Sequence, residues 1–134
     1  MKKILIMTHG ELASGFAHTF KMIVGDIADV EALSAYTTPG YDLEKEIKKV
    51  MDALSEDDEL LVVTDLYGGS VNNEWMMHLS DKRIHLVAGI NLAFLVEVCC
   101  AGDFTEESIN LALENARKNM TYCNETMLTK DIDF

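Results

Sequence analysis

Positive charge is what this chain has least of. Eleven Lys and Arg stand against 23 Asp and Glu in 134 residues, a formal net charge of -12. Each phosphate contact needs a cationic partner, so this balance excludes a general nucleic-acid binder and disfavours an anionic membrane surface. It favours partners with a basic face. Cysteine is scarce: Cys99, Cys100 and Cys123, an odd count with two adjacent. That pattern builds neither a disulfide framework nor a structural zinc site, and it fits reduced packing thiols. Pro39 is the only proline, and no Pro-rich or low-complexity linker divides the chain. Residues 1–134 are therefore read as one domain, with 121–134 as its tail. Long apolar runs are missing too. The run from Ile4 to Met7 is too short for export, and no stretch has bilayer-spanning length, so the expected location is the cytoplasm.

Short apolar runs are present, at Ile4–Met7, Leu60–Val63 and Ile84–Ala88, with a weaker one at Asp29–Ala35. Helical periodicity fills the intervals. Leu12, Phe16, Phe20, Ile23 and Val24 mark one helix; Leu43, Ile47, Val50, Met51 and Leu54 mark a second, started by Asp42. Trp75, Met76 and Leu79 mark a third after Ser70, and a fourth runs from about Asn91 through Val98. Thr105 caps a last helix carrying Ile109, Leu113, Ala116 and Met120. Alternating strands and helices predict an α/β fold: a doubly wound, mainly parallel sheet in the order 2-1-3-4 with helices on both faces. The tail, with Met127, Leu128, Ile132 and Phe134, breaks the rhythm. It is expected to form a partner-binding arm or a short strand added antiparallel at a sheet edge, its own or, by exchange in a dimer, a neighbour's.

In such a sheet ligands bind beyond the carboxyl ends of the strands, where the strand order reverses. Thr8-His9-Gly10 follows the first strand and Thr64-Asp65-Leu66-Tyr67-Gly68-Gly69-Ser70 the third. The order 2-1-3-4 makes those strands neighbours, so His9 and Asp65 face one crevice. A carboxylate that accepts one imidazole N–H fixes the tautomer and leaves the other nitrogen as a nucleophile. Amides around Gly68, Gly69 and Ser70 are candidates to receive phosphoryl oxygens, with Thr64 a weaker candidate for support. The set suits reversible phosphorylation of a histidine. A solvated loop histidine beside a glycine turn fits the same spacing, and neither GxGxxG nor GxxxxGK[ST] occurs. His18, His78 and His85 have surface or structural readings, and Glu56-Asp57-Asp58-Glu59 reads as a solvated turn. Tyr36 stays open, and Tyr67 is a candidate for a partner surface.

Three blocks carry a resemblance: residues 4–15 around His9, residues 63–73 around Asp65 and Gly68-Gly69-Ser70, and residues 88–97. In order and place they resemble the IIA components of the mannose/fructose/sorbose family of the bacterial phosphoenolpyruvate-dependent sugar phosphotransferase system. The resemblance implies a phosphoryl carrier that accepts phosphate from the phosphohistidine carrier protein HPr at the position of His9. It would pass the group to a histidine of a IIB component, serving the IIC and IID membrane subunits that admit the sugar. It further implies that Asp65 orients the imidazole and that the protein is a homodimer with an exchanged terminal strand; no cofactor or metal is expected, because both ends of the transfer are nitrogen and the protein's own dipoles supply the field. Val71 and Ala93 stand where the family commonly has proline.

Three other readings share features with this one. A dihydroxyacetone kinase phosphotransfer subunit has a similar domain but a different downstream acceptor. A flavodoxin-like binding module shares the strand order but wants a Ser/Thr-rich loop after the first strand. A receiver domain wants an acidic cluster where Thr8-His9-Gly10 stands.

Overall fold

The computed structural model describes residues 1–129. In it β1 (Lys2–His9), α1 (Leu12–Val24), β2 (Asp29–Ala35), α2 (Leu43–Asp52) and β3 (Glu59–Thr64) follow in order. Then come α3 (Ser70–Met76), β4 (Ile84–Ala88), α4 (Leu92–Ala101), α5 (Glu106–Asn119) and α6 (Cys123–Thr129). The four strands form one all-parallel sheet in the order β2-β1-β3-β4, as expected.

The inner strands are apolar on both faces, the mark of a sheet covered on both sides. Ile4, Ile6, Leu61 and Val63 pack against α1, α4 and α5, while Leu5, Met7, Leu60 and Val62 pack against α2 and α3. Side chains alternate across a strand, so one run of four residues serves two cores. Full burial of one such side chain stabilises by about 1.5–3 kcal/mol. Trp75 anchors the second core, fully buried, with its indole N–H donating to Met7 Sδ at 3.3 Å. Edge strand β2 has more polar residues, which explains its weaker sequence signal.

Three helix starts follow side-chain chemistry. Asp42, Asn91 and Thr105 each accept a backbone N–H from three residues on, at 3.2, 3.0 and 3.1 Å. The third helix is shorter than its apolar pattern implies: it ends at Met76, and Leu79 lies in the turn beyond.

One expectation finds no support among the described residues, and another fails. The edge strand expected in the tail is not formed by residues 123–129, which are helix α6; Ile132 and Phe134 lie outside the described residues. Cys123 to Thr129 has no period-two pattern, and Glu125 in the first turn complements the helix dipole. Among the described residues the sheet has no antiparallel strand and β4 is an open edge. The expectation that fails is Asp58, read as part of a solvated turn. It is buried, accepts the Ser55 N–H at 3.0 Å, and pairs with Lys3 and the N-terminal amino group, each at 3.4 Å. A carboxylate carried inward by the start of β3 has to find such partners.

No helix among the described residues is long and apolar enough to cross a membrane.

Candidate functional site

Three adjacent parallel strands end side by side, and each delivers one residue to the same crevice. His9 closes β1 opposite Ala35, the last residue of β2, and Met7 lies opposite Thr64, the last of β3. The next residues along β2 and β3 are Tyr36 and Asp65. The His9 backbone N–H donates to Asp65 Oδ2 at 3.0 Å, and the ring Nδ1 lies 3.0 and 3.2 Å from the two carboxylate oxygens. Leu66 N–H donates to Oδ1 at 3.0 Å. An ionised carboxylate only accepts, so the imidazole proton sits on Nδ1 and Nε2 keeps its lone pair. Burial pushes the Asp65 carboxyl upward, but the His9 backbone N–H and ring outweigh it and hold the group below its ordinary value. The exposure of the two side chains, 40% for His9 and 12% for Asp65, leaves the imidazole accessible and its carboxylate sheltered.

The other ring nitrogen has its own partner. Nε2 lies 3.1 Å from Ser70 Oγ, and Ser70 Oγ lies 2.9 Å from the Tyr36 hydroxyl. The Tyr36 and His9 ring centroids are 5.6 Å apart with planes tilted by 31°. Tyr36 also meets Tyr41, at 5.4 Å between centroids. Tyr36 has φ +64°, the single non-glycine residue in the left-handed region among those described. For a residue with a Cβ that backbone costs roughly 1–2 kcal/mol.

The glycine loop supplies space. A Cβ on Gly69 would stand 3.2 Å from His9 Cε1 and 3.2 Å from the Leu66 carbonyl oxygen. Gly68 turns the chain at φ +82°, and its carbonyl accepts from Asn73 Nδ2 at 3.0 Å. The Gly69 N–H is engaged with the Leu66 carbonyl at 3.1 Å, so it closes the turn instead of facing a ligand. Thr64 lies beneath the site: its buried hydroxyl donates to Asn72 Oδ1 at 2.8 Å, tying the end of β3 to α3. These bonds hold the loop without a proline at Val71, which is itself fully buried. At Ala93 the Asn91 cap starts the helix.

The structure thus brings His9, Asp65, Gly69 and Ser70 together and leaves Thr64 below them. The sequence reading had left Tyr36 undecided, although the residue after β2 falls beside His9 by the same strand-end rule that selected Asp65. His18 is exposed on α1, His78 leans on Trp75, and His85 packs beside Phe104 with Nε2 3.6 Å from Glu59. None of the three touches the crevice residues.

Comparison with known proteins agrees with this geometry. The profile of the EIIA-man family, described as the PTS system fructose IIA component, matches residues 3–118. The fructose-specific EIIA component of the PTS system in Bacillus subtilis (strain 168) is 26% identical over 100 residues, covering 73% of this chain and 68% of that protein. A solved structure from Klebsiella pneumoniae subsp. pneumoniae, described as a phosphoenolpyruvate-dependent sugar phosphotransferase system permease, superposes with a TM-score of 0.89 at 34% identity. It covers 94% of this chain and 93% of that one. The PTS IIA protein associated with the fucose utilization operon of Streptococcus pneumoniae gives 0.77 at 30% identity, covering 94% and 96%. With the family profile spanning most of the sequence, this chain belongs to the EIIA-man family and is a histidine phosphocarrier of the sugar phosphotransferase system.

Proposed function

We propose that His9 Nε2 is the atom that carries the phosphoryl group, with Asp65 as its orienting partner. The observation that carries this reading is the asymmetry of the ring: Nδ1 is held by a sheltered carboxylate, and Nε2 meets only the Ser70 hydroxyl at the exposed loop. In the forward step the Nε2 lone pair forms a bond to phosphorus as the N–P bond of phospho-HPr breaks. The electron pair of the broken bond returns to the nitrogen of the HPr histidine. His9 keeps its Nδ1 proton, so the phosphorylated ring is formally cationic, and the Asp65 carboxylate balances that charge. Transfer to a histidine of the IIB component is the same displacement with the partners exchanged. Such a transfer depends on in-line placement and on stabilising the equatorial oxygens. The Ser70 hydroxyl is the donor best placed for one of them. Gly69 contributes room for the imidazole, Gly68 shapes the turn, and Thr64 acts from below through Asn72.

Leu66 and Tyr67, exposed at 62% and 84%, flank the site and are the proposed apolar contacts for HPr and the IIB component. The acidic surface favours a basic rim on those partners. A homodimer is proposed through the open β4 edge, where Met76, Tyr67 and Arg117 line a groove of about 350 Å³. The unit is read as residues 1–134 working in the cytoplasm, alongside the IIC and IID subunits it serves indirectly.

Intact mass after incubation with phosphoenolpyruvate, enzyme I and HPr tests the assignment. One acid-labile phosphoryl group is expected on the wild type and none on His9→Ala. A labelled His9→Ala protein would place the acceptor elsewhere.

A further inference from the structure

Tyr36 combines three observations that the phosphocarrier reading does not use: a left-handed backbone, a hydroxyl 2.9 Å from Ser70 Oγ, and a ring beside the His9 imidazole. A bulky residue held in that backbone region is over-determined by its surroundings, and such outliers concentrate at functional sites. Here the surroundings are named. Tyr41, partly buried against the Trp75 core, packs against the Tyr36 ring with centroids 5.4 Å apart. The Gly10 N–H bonds the Ala35 carbonyl at 2.8 Å, fixing the end of β2 to the loop after His9.

The direction of the hydrogen bonds follows from the ends of the chain. Asp65 accepts the Nδ1 proton, so Nε2 is an acceptor and Ser70 must donate to it. The Ser70 oxygen then faces Tyr36 with lone pairs only, so Tyr36 donates to Ser70. Four side chains, from the ends of β2, β1 and β3 and the start of α3, thus form one directed chain, Tyr36 to Ser70 to His9 to Asp65.

We propose that Tyr36 is a positioning residue of the phosphocarrier, aimed by its left-handed backbone to donate to Ser70 and so keep the Ser70 proton directed at the His9 Nε2 position. This rests on the assignment of His9 as the acceptor. When Nε2 attacks phosphorus, its lone pair is consumed and the Ser70 proton loses its acceptor. Because Tyr36 occupies the Ser70 oxygen from behind, that proton turns to the nearest oxygen of the arriving phosphoryl group. Tyr36 itself does not touch the transferred group; it acts through Ser70. The chain polarises cooperatively, since each donor strengthens the next.

The test is a double-mutant cycle on the full chain with Tyr36→Phe, Ser70→Ala and both together. Readouts are the rate of phosphoryl transfer from HPr and the imidazole ¹⁵N shifts of the unphosphorylated protein. Tyr36→Phe keeps the ring and removes the hydroxyl. Loss of one hydrogen bond in the chain should slow transfer roughly three- to tenfold and move Nε2 toward the shift of an unbonded lone pair. In the Ser70→Ala background Tyr36→Phe should have no further effect on either readout. A merely structural tyrosine would change the melting temperature without that non-additivity, so thermal melts accompany the kinetics. Full wild-type rate and shifts in Tyr36→Phe, with His9 phosphorylated normally, overturn this proposal alone. So does a loss that adds to that of Ser70→Ala. No phosphorylation of His9 in the wild type overturns the His9 assignment and this proposal with it.

Discussion

Two carboxylates bracket β3: Asp58 stands just before Glu59, its first residue, and Asp65 just after Thr64, its last. Each accepts a backbone N–H and each is held below its ordinary titration range, yet their surroundings differ. At Asp58 the Ser55 backbone N–H leads the effect and outweighs burial, helped by the Ser55 side chain, the N-terminal amino group and Lys3. Neither of those amino groups takes part in the proposed transfer. At Asp65 burial works against ionisation, and the His9 backbone N–H and imidazole overcome it. That imidazole is the group proposed to gain a formal charge on phosphorylation. The same device therefore stands at both ends of β3, and at the carboxyl-terminal end it holds the proposed phosphoryl acceptor. A parallel α/β sheet has this polarity built in, because strand ends and helix starts converge at the carboxyl edge.

Exchanging the two roles gives the sharpest break. Asp65→Asn keeps the shape and loses the charge, and the amide competes for the wrong tautomer of His9. Phosphoryl transfer should fall by roughly a hundredfold, the scale of one preorganised electrostatic partner, as measured by single-turnover transfer from phospho-HPr. Asp58→Asn should leave that rate unchanged. An equal loss of transfer in both variants would erase the distinction drawn here.

A smaller loss is expected at the loop. Gly69→Ala sets a methyl 3.2 Å from both His9 Cε1 and the Leu66 carbonyl oxygen. One neighbour is backbone, so the imidazole has to give way, and a displaced nucleophile should slow transfer about tenfold. The chemical shift of His9 Hε1 should report the displacement. An unmoved ring with unchanged kinetics would show that the loop yields instead.

The smallest effects concern stability alone. A carboxyl with a depressed folded-state value binds its proton more readily when unfolded. It contributes stability above the unfolded value of about 3.9 and loses it as pH falls toward the folded one. Melting temperature should therefore drop on acidification below about pH 4. Asp58→Asn should start lower by several degrees and show a shallower acid decline, read by circular dichroism from pH 7 down to 2. An unaltered acid slope would mean that Asp58 does not report on this linkage.

Much of the site was legible because its logic is topological. Apolar runs separated by helical periodicity imply a parallel sheet, and parallel strands deliver their following residues to one edge. That placed His9 near Asp65 across 56 positions of sequence. Residues whose roles depend on a rotamer or a single dihedral were not legible. Thr64 follows the same rule as its neighbour, but strand alternation turns its hydroxyl inward to Asn72. The Gly69 amide looked free in sequence and is engaged by a carbonyl three residues back. Asp58, amid four consecutive acidic residues, had every mark of a solvated turn, and nothing local announces that Lys3 and the amino terminus arrive beside it.

Periodicity pointed to a doubly wound parallel sheet with a crevice beyond its strand ends, because right-handed crossovers leave few ways to bury these apolar faces, and the family resemblance singled out His9 and Asp65 within it. The helix at Cys123–Thr129, the ion pairs of Asp58 and the left-handed turn at Tyr36 came from the folded molecule alone. The last two depend on contacts between segments distant in sequence or on a backbone torsion whose cost local preference would avoid. Such terms amount to a few kcal/mol or less, too small to leave a pattern in residue order and large enough to orient an imidazole.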